Sequence, residues 1–158
     1  MLHLVRSLLL LTSALILVAC ATQKGVIDRP DWAENPAHWD GTGLSVASYS
    51  ASEYSTNAGD EAQLAEENAL REARKMVARE LAKAYVAYQA AKKETVSEED
   101  AAYQLERQLG NIVSRQRHYD EQRRVFFIQL YLPSHRIQEL ISATFGIQVT
   151  VGADGKLK

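Results

Sequence analysis

Between residues 60 and 91 apolar side chains return every three or four positions, and after Gly110 they return every two. The first period is one face of a helix and the second is one face of a strand, so no single kind of element accommodates both. The chain must therefore combine a long helix with a sheet. In the first stretch Ala62, Ala65, Ala69, Ala73, Met76 or Val77, Ala84 and Tyr88 form a stripe, widened by Leu70, Leu81 and Tyr85. Its alanines suit close packing onto a sheet. Asp60 or a neighbour is expected to cap this helix, with Glu61, Glu66 and Glu67 near its positive end. Glu67 with Arg71, and Glu80 with Lys83, read as solvated surface pairs worth a few tenths of a kcal/mol each.

The helix should end within residues 91–95. A second begins after Ser97, an N-cap with Asp100 three residues on, and turns Leu105, Leu109 and Ala102 inward before a C-cap at Gly110. Residues 111–119, containing Ile112, read as a strand, and residues 120–122 as a turn. Residues 123–132 form the strongest strand pattern, with Phe126, Ile128, Leu130 and Leu132 on one face and Val125, Phe127, Gln129 and Tyr131 on the other. The two strands predict an antiparallel hairpin that Pro133 ends. Ser134 is expected to cap a helix with a core stripe of Ile137, Leu140, Ile141 and Phe145, closed by Gly146. Residues 147–151 are a last candidate strand, followed by a turn at residues 153–155 near a frayed end.

Upstream, Pro30 and Pro36 exclude a regular helix, and Trp32 and Trp39 read as anchors of an extended lead-in. Gly41-x-Gly43 lacks the third glycine of a nucleotide fingerprint and reads as the tight entry of a strand over residues 41–49 that carries Leu44 and Val46. Residues 50–59, rich in serine, read as a loop. The order β, long α, short α, β, β, α, β predicts an α+β fold. It is a small, mainly antiparallel sheet with one long and one or two shorter helices packed on one face, in a single domain over residues 30–158.

The first twenty residues ask for a different explanation. His3 and Arg6 precede an apolar run over residues 7–18, too short for the roughly 20 residues of a membrane-spanning helix and suited to a secretory signal. The run ends in Leu17-Val18-Ala19-Cys20, which resembles the lipobox of bacterial lipoproteins. That resemblance implies removal of residues 1–19 and attachment of diacylglycerol, with acyl chains of the palmitate kind, to the Cys20 sulfur. It also implies frequent acylation of the new N-terminus. Cys20 is the only cysteine, so no intramolecular disulfide is possible and apolar burial must hold the fold. Ala21 in place of Asp resembles the lipoproteins sorted to the outer membrane, here on its periplasmic face. Residues 20–29 form the lipidated N-terminus and a short linker. Ten extended residues reach at most about 35 Å, so the domain is expected to stay near its own membrane.

Without residues 1–19 the chain keeps 17 basic against 20 acidic residues, a net of −3, which does not point to nucleic acid. His38, His118 and His135 lie far apart, the serines around residues 45–55 form no Gly-x-Ser-x-Gly elbow, and no other cysteine exists. A catalytic site, a metal, a cofactor and a small-molecule substrate are all unexpected. Arg115, Arg117, Arg123 and Arg124 form the one notable charge cluster. Arg115 and Arg117 should share a face of their strand, with Arg123 or Arg124 beside them. The cluster is either a solvated hairpin face balanced by Asp120 and Glu121, or a positive patch for an acidic partner, an anionic envelope polymer or a lipid headgroup.

The order of landmarks carries a further resemblance. Pro30-x-Trp32-x-x-Asn35-Pro36 follows the lipobox, then Gly41-x-Gly43, a helix with Ala69-x-x-x-Ala73-Arg74 and Glu80-Leu81-Ala82, and a hairpin strand over residues 125–132. This looks like the Lpp-twenty lipoprotein family, which includes the FlgP-type flagellar lipoproteins and resembles the N-terminal module of FlgT. The resemblance implies a structural envelope role, with a flagellar basal-body ring and motility as its specific form. Homo-oligomers or an envelope protein would be the partners, and the sheet edge and the Phe127/Tyr131 face the expected self-association surfaces. A lipoprotein binding module, or a regulator of a cell-wall enzyme or polymer, remains the alternative.

Overall fold

A computed structural model describes residues 29–52, 58–110 and 112–158. The expected signal segment over residues 1–19, Cys20 and residues 21–28 of the expected linker lie outside the described residues, as do Asn111 and residues 53–57 of the expected serine-rich loop.

Four antiparallel strands make one sheet: β1 (Ala37–Trp39), β2 (Gly43–Ala51), β3 (Ser114–Asp120) and β4 (Val125–Pro133), in the spatial order β1-β2-β4-β3. Among the described residues three α-helices complete the fold: α1 (Ala58–Ala91), α2 (Glu98–Gln108) and α3 (Ser134–Phe145). Helix α1 lies along β2 and β4, and α2 packs on α1. The expected α+β architecture is therefore present.

Alternation decides which side chains meet α1. Leu44 and Val46 of β2 and Phe126, Ile128, Leu130 and Leu132 of β4 join Ala65, Ala69, Ala73, Val77 and Leu81 in one buried cluster. Alanine at every fourth position lets the helix backbone approach the sheet while larger residues on the strands fill the volume. Near the far end of α1, Tyr85 stacks on Phe145 of α3 with ring centroids 3.8 Å apart and accepts a hydrogen bond from Gln89 at 2.9 Å. Ser97 accepts the backbone N–H of Asp100 at 3.3 Å, as its position implies, and Gly146 closes α3 in the left-handed region.

The opposite face of the sheet is not bare. The lead-in makes a single 3-10 turn at Asp31–Ala33 against β2 and β4, then runs into β1. Beneath this strap Phe127 is fully buried, flanked by Tyr49 at 5.7 Å and His118 at 6.1 Å between ring centroids.

The structure departs from expectation in several local respects. Strand β1 is new: Ala37 to Trp39 pair with β2 because Gly41, at φ 80°, folds the chain back between them. Residues 147–151 do not join the sheet. They fold against the C-terminus instead, Thr150 and Lys158 exchanging two 2.9 Å backbone bonds. Val149 and Leu157 are thereby buried and the end is not frayed. Ser134 is the first residue of α3, not its cap. Pro133 precedes it with extended backbone, and the Ser134 N–H donates to the Thr42 carbonyl at 2.8 Å. Finally, α1 starts at Ala58, which places Asp60 inside its first turn.

Candidate functional site

The arginine cluster is the natural place to look for a site, and the hairpin β3–β4 disperses it. Ser114 pairs with Leu130 and Gln116 with Gln129, so Arg115 is an extra residue in a bulge. From there to Asp120 the register is regular, which places Arg117 opposite Ile128 of the core-facing row. Arg115 and Arg117 therefore do not share a face, contrary to the strict alternation read from sequence: a bulge resets the side-chain parity. Arg117 turns to the helix side, where its Nη1 lies 2.6 Å from Glu66 Oε1 on α1 and its Nε donates to Ser114 Oγ at 2.8 Å. Arg123 closes the turn through Asp120, with 2.9 Å between Nη1 and Oδ2, and its guanidinium holds the Asp120 carboxyl below the usual range. Arg124, at φ 54°, reaches Glu61 of α1 at 3.3 Å. These three arginines tie the hairpin to itself and to α1.

Arg115 has a different setting. Its guanidinium lies over the ring of Tyr131, 5.2 Å from the centroid, in a cleft of about 370 Å³ lined by Asp40, Thr42, Val113, Arg115 and Tyr131. The β1–β2 turn builds the other wall. Asp40 accepts three hydrogen bonds there, from the Thr42 hydroxyl at 2.6 Å, the Thr42 N–H at 3.0 Å and the Gly43 N–H at 3.1 Å. These bonds, the Thr42 hydroxyl foremost, hold its carboxyl below the ordinary value, with Arg115 a lesser contributor. Because the Thr42 hydroxyl proton goes to Asp40, the Tyr131 hydroxyl donates in turn to Thr42 Oγ1, at 2.8 Å. Val113 stands 77% exposed at the mouth.

The residues of the family-like motif have positional work. Trp32 and Pro30 form part of the strap, with Arg29 beside the Tyr49 ring at 5.0 Å. The Pro36 carbonyl accepts the Ala47 N–H at 2.9 Å, while Asn35 is exposed. At Gly43 a Cβ would run into the Leu132 carbonyl oxygen and lie 2.8 Å from Pro133 Cα. Gly41 and Gly43 thus serve a turn and a close strand approach.

These contacts bear on the two surfaces expected for self-association. Phe127 lies under the strap and Tyr131 under Arg115, while Tyr49, paired with Phe127, stays 47% exposed. On the β3 edge the exposed Arg115 and Arg117 disfavour pairing with a second copy of the same positively charged edge. The sequence singles out Tyr131 only as part of a self-association face with Phe127, and Asp40 and Thr42 not at all; their one signal is Asp40 placed just before Gly41-x-Gly43. Among the described residues no helix is long and apolar enough to cross a membrane, and no group of three His, Cys, Asp or Glu is arranged to hold a metal ion. No protein-family model, curated protein or solved structure matches the chain.

Proposed function

We propose that this protein is a lipid-anchored lipoprotein of the bacterial outer membrane, held on the periplasmic face, with a non-enzymatic structural or assembly role. The carrying observation is Leu17-Val18-Ala19-Cys20, with the only cysteine of the chain at the end of an apolar run. One acyl chain binds a bilayer only marginally, whereas two or three, at about 0.8 kcal/mol per buried CH₂, anchor it durably. The order of motifs after the cysteine supports placement in the Lpp-twenty family, with the flagellar basal-body ring as the specific assembly. The perturbed groups fit a quiet surface: Asp40, Asp120, Asp154, Lys83 and Lys156 are each shifted chiefly by a hydrogen bond to a residue two or three positions away.

Detergent phase partitioning of the protein from its native cells tests the anchor. The wild type should enter the detergent phase and Cys20→Ala the aqueous phase; equal partitioning of the two would remove the reading. Sedimentation of the detergent-solubilised protein tests the assembly role, which predicts species larger than the monomer. A deletion strain that swims normally would remove the flagellar form.

A further inference from the structure

We propose that the Arg115 cleft binds a carboxylate carried by an extended acidic segment of a partner protein. The argument rests on how the cleft divides its charges. Arg117, Arg123 and Arg124 each face a carboxylate, from Glu66, Asp120 and Glu61. Arg115 instead rests on the Tyr131 ring. Stacking engages the face of a guanidinium and leaves its edge, with the N–H donors, free to hold a carboxylate in a planar fork. The bulge is what delivers it: regular pairing through residue 115 would turn its side chain the other way, and bulges commonly re-aim a side chain next to a binding site.

The nearby anion does not consume Arg115. Asp40 accepts three hydrogen bonds from its own turn, at 2.6, 3.0 and 3.1 Å, and these donors, not Arg115, dominate its environment. Among the described residues Arg115 makes no hydrogen bond or ion pair, so the cleft offers a cation with donors to spare beside an exposed apolar residue, Val113. That combination matches a carboxylate flanked by an aliphatic side chain. β3 is also the outer strand of the sheet, so an extended segment can lie along it at the same end. A segment of alternating acidic and aliphatic residues satisfies both requirements, presenting carboxylates on one side and apolar groups on the other. The inference deepens the assembly role proposed above by naming the chemistry of the partner, and it does not depend on lipid at Cys20.

The test uses the full mature protein in detergent micelles and a fluorescently labelled, end-capped peptide of alternating valine and glutamate, read by anisotropy. Saturable binding that weakens as salt rises is expected. Arg115→Gln should weaken it about tenfold or more, the loss typical of one charge-assisted hydrogen bond. Arg115→Lys, which keeps the charge but not the fork, should fall between. Arg123→Gln, which removes the ion pair with Asp120 in the hairpin turn, should stay within about twofold of wild type. The valine–glutamine peptide should not bind. Far-ultraviolet circular dichroism matching the wild type verifies that the variants are folded. Absence of saturable peptide binding, equal binding by Arg115→Gln, or equal binding of the glutamine peptide overturns the inference. So does Arg115-dependent binding of inorganic phosphate by a protein that ignores the peptide, because the cleft would then serve phosphate. A protein lipidated at Cys20 that fails this titration removes the inference alone; an unlipidated one that passes removes only the anchor.

Discussion

Two glycines separate the steric from the conformational use of that residue. Gly43 has ordinary backbone but no room: the added carbon meets backbone atoms of Leu132 and Pro133, which cannot swing aside. Gly43→Ala should destabilise the protein by about 3 kcal/mol, the upper end for overpacking. Gly146 has room but φ 69°, so Gly146→Ala should cost only about 1 kcal/mol. Urea unfolding of both variants checks the difference, and equal losses would contradict it. Asp40 supplies a pH dependence. Its folded carboxyl titrates below the ordinary 3.8, held down first by the Thr42 hydroxyl and then by the Thr42 and Gly43 N–H groups. Its stabilising contribution is therefore complete above that value and disappears as pH falls through the lower, folded one. Asp40→Asn should lose stability near neutral pH and show a shallower decline on acidification below about pH 4, measured as denaturation midpoint against pH. At this scale the sequence was partly legible. Gly41-x-Gly43 reads as a tight strand entry, and the structure puts a turn at Gly41 and the strand start at Gly43, but sequence places Arg115 and Arg117 on one face because no local residue announces the bulge at Arg115.

At the scale of elements, periodicity was the dependable signal. The alanine stripe of α1 and the alternation of β4 survive in the structure because each is enforced by many side chains at once. Ala73 is fully buried within the cluster that joins α1 to the sheet. Ala73→Leu should therefore cost about 1–3 kcal/mol through overpacking, whereas Ala90→Leu, on the exposed side of the same helix, should change stability by less than about 0.5 kcal/mol. Thermal unfolding of both distinguishes a helix packed on its alanine face from one packed elsewhere. The elements that sequence missed are short and depend on distant partners. β1 is three residues long and exists through its pairing with β2. Residues 147–151 have strand-like alternation but find the chain's own end, where Gly155 lets the backbone approach the Trp39 indole; a Cβ there would lie 2.5 Å from the ring. Neither partner is visible in a local pattern.

At the scale of the molecule, the fold and the proposed role draw on different parts of the chain. The sheet, its helical layer and the strap make a body with an open cleft around Arg115 on the side away from α1. The strap begins at Arg29, nine residues beyond Cys20, a span that extended chain bridges in about 30 Å. Anchoring at Cys20 would hold this body against the bilayer, within reach of membrane-bound partners and of other copies. All of that follows from the chemistry at one sulfur. Intact-mass spectrometry of the protein purified from its native membrane measures it directly. The account predicts a chain that starts at Cys20 and carries the added mass of diacylglycerol, with or without a further acyl group on the amine. A free thiol at Cys20, or a chain still bearing residues 1–19, would contradict it.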